Sequence, residues 1–425
     1  MITPSFGLTA TERVLPKLAL DFTTAILDGR VTFARTGATA TRVNASGFIE
    51  SVAANTARFD FDPVNLLCQG LLIEESRTNQ FLYSSDLRNT ATAGAARPWN
   101  YVNASVNADV ENSPDGTQNA DKIEETSATG EHAIFHDNYA ASNVTLSVSI
   151  FAKADERNKI NLVISDFATG GASCVFDLSL GTAGAASSST AEYTSPVGKI
   201  INYGDGWYRC VLTVVKGSGN TNNYAVFNLN NGSTINYAGT TGHGLFAFGA
   251  QLEAGAFATS YIPTEATAVT RNADVATMTG TNFSDWFNPT EGSLKVVYQY
   301  NSGLTGTPIS ISDGTTANRV LIYKSGANMA GFVGSGGALQ ANMVTNAATT
   351  AVSSAVFALK QDNFAFEFNA NSQGTDTSGL MPVSPNIMNI GAAQGATSTF
   401  NGWILQVYYY IQRLTANEVK AFSKQ

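Results

Sequence analysis

At 425 residues the chain is too long for a single core and suggests roughly two or three domains. Only 13% of it is charged, about half the usual share, and Asn, Ser, Thr, Ala and 38 glycines fill the gap, a surface that suits β-sandwiches better than helix-rich enzymes. A net charge of −9 and a pI near 4.9 exclude the basic stripe of a nucleic-acid binder, and no run of about 18 apolar residues offers a membrane span.

Residues 1–78 carry short β-like runs, "LALDFTTA", "VTFART", "ATRVNASGFIES" and "ARFDFDP". Alternation in the last puts Phe59 and Phe61 on one face and Asp60 and Asp62 on the other, and Pro63 ends it. Such a segment forms a small β module that buries little by itself. Over residues 79–271 the pattern becomes strand, turn, strand: "TLSVSIFAKA", "INLVISDF", "ASCVFDLS", "WYRCVLTVVK", "NYAVFNLN" and "GLFAFGAQLEAG", separated by "ADERNK", "ATGG", "GDG" and "GSGNTNN". This spacing predicts a two-sheet sandwich. "YIPTEATAVTRNADV" then reads as an extended linker, since Pro263 cannot serve in an inner strand. Residues 272–425 repeat the style in "EGSLKVVYQY", "RVLIYKS", "NFAFEFNA" and "NGWILQVYYYIQRL". Only "LTANEVKAFSKQ" is helical, with Thr415 as N-cap and Glu418 completing a capping box. The expected fold class is all-β: a small N-terminal module and two β-sandwiches, closed by a short C-terminal helix.

The start, "MITPSFGLTA", has no basic stretch followed by an apolar one, so no secretory signal is expected. Cys68, Cys174 and Cys210 are odd in number, far apart and outside any CxxC, which predicts buried thiols in a reducing compartment. The surface of an adhesin thus accompanies the start and cysteines of a cytoplasmic product. A virus particle, assembled inside the cell and working outside it, reconciles the two.

"LDFTTAILDGRVTFARTGATATRVNASGFIESVAANTARFDFDPVN" with "GLLIEESRTNQFLYSSDL" resembles the module of phage head-spike and tail-fibre proteins. "SPDGTQNADKIEET", "SVSIFAKADER", "GDGWYRCVLTV" and "FGAQLEAGAFATSYIPT" resemble the jelly-roll carbohydrate-binding modules often fused behind it. "GWILQVYYYIQRLTANEV" looks like the closing strand and helix of a concanavalin A-like, laminin-G-type lectin sandwich. The resemblance implies a virion fibre or spike at the particle surface, more head than tail, forming a homotrimer. It implies docking to capsid or spike-base proteins through the N-terminal module, with host surface polysaccharide as the other partner. Nucleic acid and membrane insertion are not expected. Fold alone does not fix function.

The chemistry is sparse. In "GLLIEESR", strand alternation places Glu75 and Arg77 on one face and Glu74 opposite. Two carboxyls pointing apart cannot flank a sugar at the roughly 5–9.5 Å a glycosidase needs. A Glu75–Arg77 ion pair at a module junction is the simpler expectation. His132 and His136 lack the glutamate of an HExxH motif, and on a strand they lie about 13 Å apart. No catalytic residue or cofactor is expected; the resemblance allows a structural calcium ion, which such sandwiches commonly carry. Asp115 and Asp313 are its weak candidate ligands, but their Asp-Gly settings are better explained as turns. Sugar binding stacks aromatic rings on pyranose faces. The candidate rings are Trp99, Tyr101, Tyr139, Trp207, Tyr237, Tyr408 and Tyr410. Trp99, after Pro98 and a loop of Ala and Gly, is the ring expected to be most exposed. Tyr208 and Cys210 share one face, the buried one by its cysteine, so Trp207 faces out, or into an opposing sheet if its strand is central; it is expected to be structural. The function expected is a non-enzymatic spike that attaches to host glycans. The alternatives are a polysaccharide depolymerase, a structural spacer that no longer binds sugar, or a tail fibre.

Overall fold

The computed structural model describes residues 15–88, 98–168, 170–301 and 306–424. The chain is nearly all β, and the described residues hold two short α-helices, Thr281–Ser284 and Ala416–Phe422. It divides into two units, each discontinuous in sequence. The terminal unit takes the described residues up to Phe33, residues 70–73 and everything from Val275; the central unit takes 34–69 and 74–274. The stretch expected as a separate module is therefore shared out. Leu18–Asp21 pairs with Gly402–Tyr410 in the terminal unit, whereas Ala40–Val43 and Ile49–Val52 form a hairpin in the central unit. Strands of three or four residues bury too little alone and are stable as additions to larger sheets.

The central unit is a two-sheet antiparallel sandwich. One sheet runs Tyr193–Asn202, Trp207–Lys216, Val144–Ala154, Gly244–Ala254, Gln118–Glu125, Ala104–Asn112. The other runs Thr182–Ala183, Gly171–Asp177, Lys159–Ser165, Asn222–Asn230, Ala133–Ala140, Trp99–Val102. Alternation explains the core between them. Leu146, Val148 and Ile150 from the first sheet meet Ile160, Leu162, Ile164, Phe227 and Leu229 from the second, all essentially inaccessible.

The sheets differ on their outer faces. The first is covered: Phe151, Trp207 and Phe248 pack against Ile49 of the hairpin and Tyr261. That covering layer contains a buried cluster of charges. Glu74 meets Arg58 at 2.9 Å and Arg271 at 3.5 Å and accepts hydrogen bonds from the Ser260 N–H and Oγ at 2.8 and 2.7 Å. Asp274 meets Arg35 at 3.2 Å, pairs with Arg58, and accepts from the Glu74 N–H at 2.9 Å. Burial opposes ionisation of Glu74, yet Arg271, Arg58 and the Ser260 bonds outweigh it and hold the carboxyl down at about 2. Next in sequence, Glu75 and Arg77 form an ion pair, and Arg77 also donates to the Ala254 carbonyl and stacks 5.0 Å over Phe257. The carboxylates of "GLLIEESR" are thus bound to arginines in structural contacts, with Glu74 at the centre.

The terminal unit is a second sandwich. One sheet runs Ser372–Asp376, Phe364–Phe368, Ser353–Lys360, Glu291–Tyr300, Gly402–Tyr410, and the last strand also takes residues 71–73 and Leu18–Asp21. The facing sheet includes Val275–Thr279, Ile387–Ile390, Ile309–Ser312, Arg319–Ser325, Asn328–Ser335 and Ala338–Ala347 in that order. Gly292 is required where the Tyr409 ring crosses its strand: a Cβ there would sit 2.1 Å from the Tyr409 hydroxyl, which donates to the Asn288 carbonyl at 3.0 Å. The helix Ala416–Phe422 carries the expected capping box between Thr415 and Glu418 and packs on Val356 and Ala358.

Candidate functional site

Most of the rings selected from sequence are part of the cores. Trp99 is fully buried, its indole N–H donating to the Tyr83 carbonyl at 3.2 Å. The expectation of an exposed ring is therefore corrected: pairing of Trp99 with His136 across adjacent strands turns it inward, whatever the character of the loop before it. Tyr101, half-buried, donates to the Leu87 carbonyl at 2.8 Å. Tyr139 is half-buried against the same core, and burial raises its phenol above the usual range. Trp207 is buried in the covering layer with its N–H on the Asn112 carbonyl at 2.9 Å. Tyr237 is buried too, its hydroxyl donating to Glu125 at 2.6 Å. In the terminal unit Tyr410 stacks on Phe422 of the C-terminal helix at 5.3 Å, and Tyr408 is half-buried under the Lys295 ammonium. The chain's own C-terminal helix thus covers Tyr410.

The other candidates are accounted for locally. None of the three cysteines is in a disulfide; Cys174 and Cys210 are buried, and burial raises both thiols, whereas Cys68 is only half-buried, a correction to the expectation for all three. His132 faces the Asn103 and Tyr237 carbonyls, while His136 accepts from the Leu82 N–H at 3.0 Å, so the two do not converge. Asp115 accepts from Thr117 and Asn119, and Asp313 from Thr315 and Asn318, both as turn carboxylates. Among the described residues no three His, Cys, Asp or Glu side chains gather as a metal site.

What sequence reasoning missed is the outer face of the second central-unit sheet, which the described residues leave uncovered. The residues that alternate with the core positions form cross-strand rows there. Asn161 lies opposite Asn228, Val163 opposite Val226, and Ser165 opposite Tyr224. All of these but Tyr224 line a groove of ≈ 430 Å³, within the usual range for a small-ligand site. Asn161 is 6% and Asn228 1% exposed, yet the side-chain oxygen of each has no hydrogen-bond partner among the described residues. Buried amide oxygens are nearly always satisfied, so two adjacent unsatisfied ones in a concavity point to a ligand.

One end of the groove carries an aromatic platform. The Phe167 ring is 59% exposed and lies 4.4 Å from Tyr224 and 5.7 Å from Phe135. Its turn is built to present it. Ser165 accepts from the Phe167 N–H at 3.0 Å and donates to the Gly170 carbonyl at 2.9 Å, and Asp166 accepts from the Ala168 and Gly170 N–H groups at 3.0 and 3.3 Å. Phe167 itself has φ = 57°, a left-handed conformation costly for a bulky residue and tolerated when the surroundings enforce it. Alongside, next to residues 171–173, Ser187, Ser188 and Ser189 add small hydroxyls. Glu131, exposed, is the one titratable side chain among the lining residues. The arrangement can stack a flat apolar face and receive hydroxyl protons; a second carboxylate for bond cleavage is missing from the lining.

No protein-family model matches the chain, and no curated protein matches it. Among solved structures it is similar to the CBM40 of a Ruminococcus gnavus IT-sialidase bound to α2,3-sialyllactose, at 13% identity and TM-score 0.30 over 32% of this chain and 84% of that one. It is similar to domain 4 of the arabinanase AbnA of Geobacillus stearothermophilus in complex with arabinotriose, at 11% identity and TM-score 0.29 over 40% and 82%. It is also similar to domains LG4-5 of the mouse laminin α1 chain, at 10% identity and TM-score 0.24 over 70% and 88%.

Proposed function

We propose that the protein is a non-enzymatic glycan-binding protein whose sugar site is the open groove of the central unit. The observation that carries this reading is the pair of buried, unpartnered oxygens of Asn161 and Asn228 beside the exposed Phe167 ring. Pyranoses present an apolar face for stacking and hydroxyls that satisfy amide groups, which is the complement of this surface. A lining with a single carboxylate, Glu131, supports binding without cleavage, since glycoside hydrolysis ordinarily uses two.

The wider role we propose is that of a virion spike or fibre that attaches to host surface polysaccharide. It rests on the phage-module resemblance of "GLLIEESRTNQFLYSSDL" and its upstream segment and on the small-polar surface. A homotrimer suits that role, because weak sugar sites acting together gain about 10²–10⁴ in avidity. The test incubates purified protein with host surface polysaccharide and follows retention and polymer length by size-exclusion chromatography. Co-elution with intact polymer is expected. Shortened polymer would replace the adhesin with a depolymerase, and neither binding nor cleavage would leave a spacer. Light scattering reports the trimer, and its mass spectrum in purified particles reports the virion role.

A further inference from the structure

We infer that the groove takes a neutral saccharide and discriminates against sugars that carry a carboxylate; this rests on the glycan-binding reading of the same site. Among the described residues the lining holds no lysine or arginine. The basic residue on the same strand face, Lys159, two positions before Asn161, has its ammonium committed to Asp177 at 3.5 Å and to the Gly232 carbonyl at 3.2 Å. What the floor offers instead is a pair of amide oxygens, serine hydroxyls and two valines, with the Glu131 carboxylate at the side. A uronate or sialate carboxylate entering this floor would lose its hydration and gain no cation, only neutral amide and hydroxyl groups with the Glu131 carboxylate beside them. The chain's net charge of −9 adds long-range repulsion to the same effect. A neutral hydroxyl is suited to the site in either sense of the amide: it donates to the Oδ1 atoms and accepts from an NH₂ turned over in their place.

The experiment uses the full chain and pairs of size-matched oligosaccharides that differ only at C6: galactan against galacturonan, glucan against glucuronan, mannan against mannuronan. Affinities are measured by calorimetry at low and at ~1 M salt, where the Debye length falls to about 3 Å. The expected result is binding of at least one neutral member and at least about tenfold weaker binding of its uronate. That ratio shrinks at high salt but stays above one, because the missing cation is a local defect. Ser173→Lys, which places an ammonium on the floor, is expected to bring the uronate up to or above its neutral partner. Uronates that bind as well as neutral sugars, through a site that Phe167→Ala and Asn228→Leu still weaken, overturn the neutral assignment and leave the groove standing. Binding that those two variants leave unchanged, or no binding by any sugar, overturns the groove itself. Phe167 is exposed, so its variant stays informative even where the Asn228 variant is poorly folded.

Discussion

The two sheets of the central unit face opposite fates on their outer sides. One is covered by a layer in which Glu74 and Asp274 pair with Arg35, Arg58 and Arg271, although the Nε atoms of Arg58 and Arg271 have no hydrogen-bond partner among the described residues. The other keeps two buried amide oxygens in a concavity, likewise without a partner among the described residues. Charges held by opposite charges fix structure; neutral amides facing a concave surface are open to a ligand. Substitutions on either side test that division.

The largest effect is expected in the covered layer. Asp274→Ala removes a buried carboxylate that faces Arg35, Arg58 and Arg271, with Glu74 still paired to the last two, and is expected to destabilise the central unit by about 3–5 kcal/mol in denaturant unfolding. A loss below about 1 kcal/mol would mean the cluster is no scaffold. Next comes pH. Glu74 is held at about 2 when folded, so its stabilisation is present above the unfolded carboxyl range and is lost as pH falls from about 4 toward 2. Asp121, 1% exposed, behaves oppositely: burial pushes its carboxyl up to about 6, although it accepts from the Leu87 and Asp109 N–H groups at 2.8 and 3.0 Å. The folded state then holds a proton that the unfolded chain releases, so stability falls as pH rises from about 4 to 6, by up to about 3 kcal/mol. Asp121→Asn flattens that limb, and Glu74→Gln flattens the acidic one.

On the open sheet the expected sign of stability reverses. Asn228→Leu removes an unsatisfied amide and is expected to leave melting unchanged or to raise stability by up to about 1 kcal/mol, while glycan binding drops at least about tenfold. A strong loss of stability would place Asn228 with the scaffold. The smallest effect lies in the terminal unit, where Thr415→Ala opens the capping box and costs about 1 kcal/mol without touching glycan affinity.

Much of this architecture is legible in the residues. Alternation in "INLVISDF" and "NYAVFNLN" identifies both strands and names Ile160, Leu162, Phe227 and Leu229 as inward. The same parity marks Asn161 and Asn228 as outward. What the sequence does not carry locally is the register that sets those two side by side, or the segment that covers one sheet and spares the other. A search for tryptophan and tyrosine misled for the same reason. Trp99 and Trp207 each have a polar edge that a carbonyl satisfies, so they are bound into the interior by contacts distant in sequence. The exposed ring is a phenylalanine in a turn of "SDFATG", where its φ = 57° and not its identity is the signal.

The pairing of Leu18–Asp21 with residues 406–409 has a consequence for the order of synthesis. Every strand of the central unit leaves the ribosome before the closing strand of the terminal unit is made. The first of these sandwiches folds while its neighbour's earliest segment is still an unpaired strand on a nascent chain. Such non-local closure is slow and exposes sticky edges. Chains stalled or truncated shortly before Gly402 leave Leu18–Asp21 and residues 71–73 without their partner strand, and these are the segments a holdase chaperone is expected to find first.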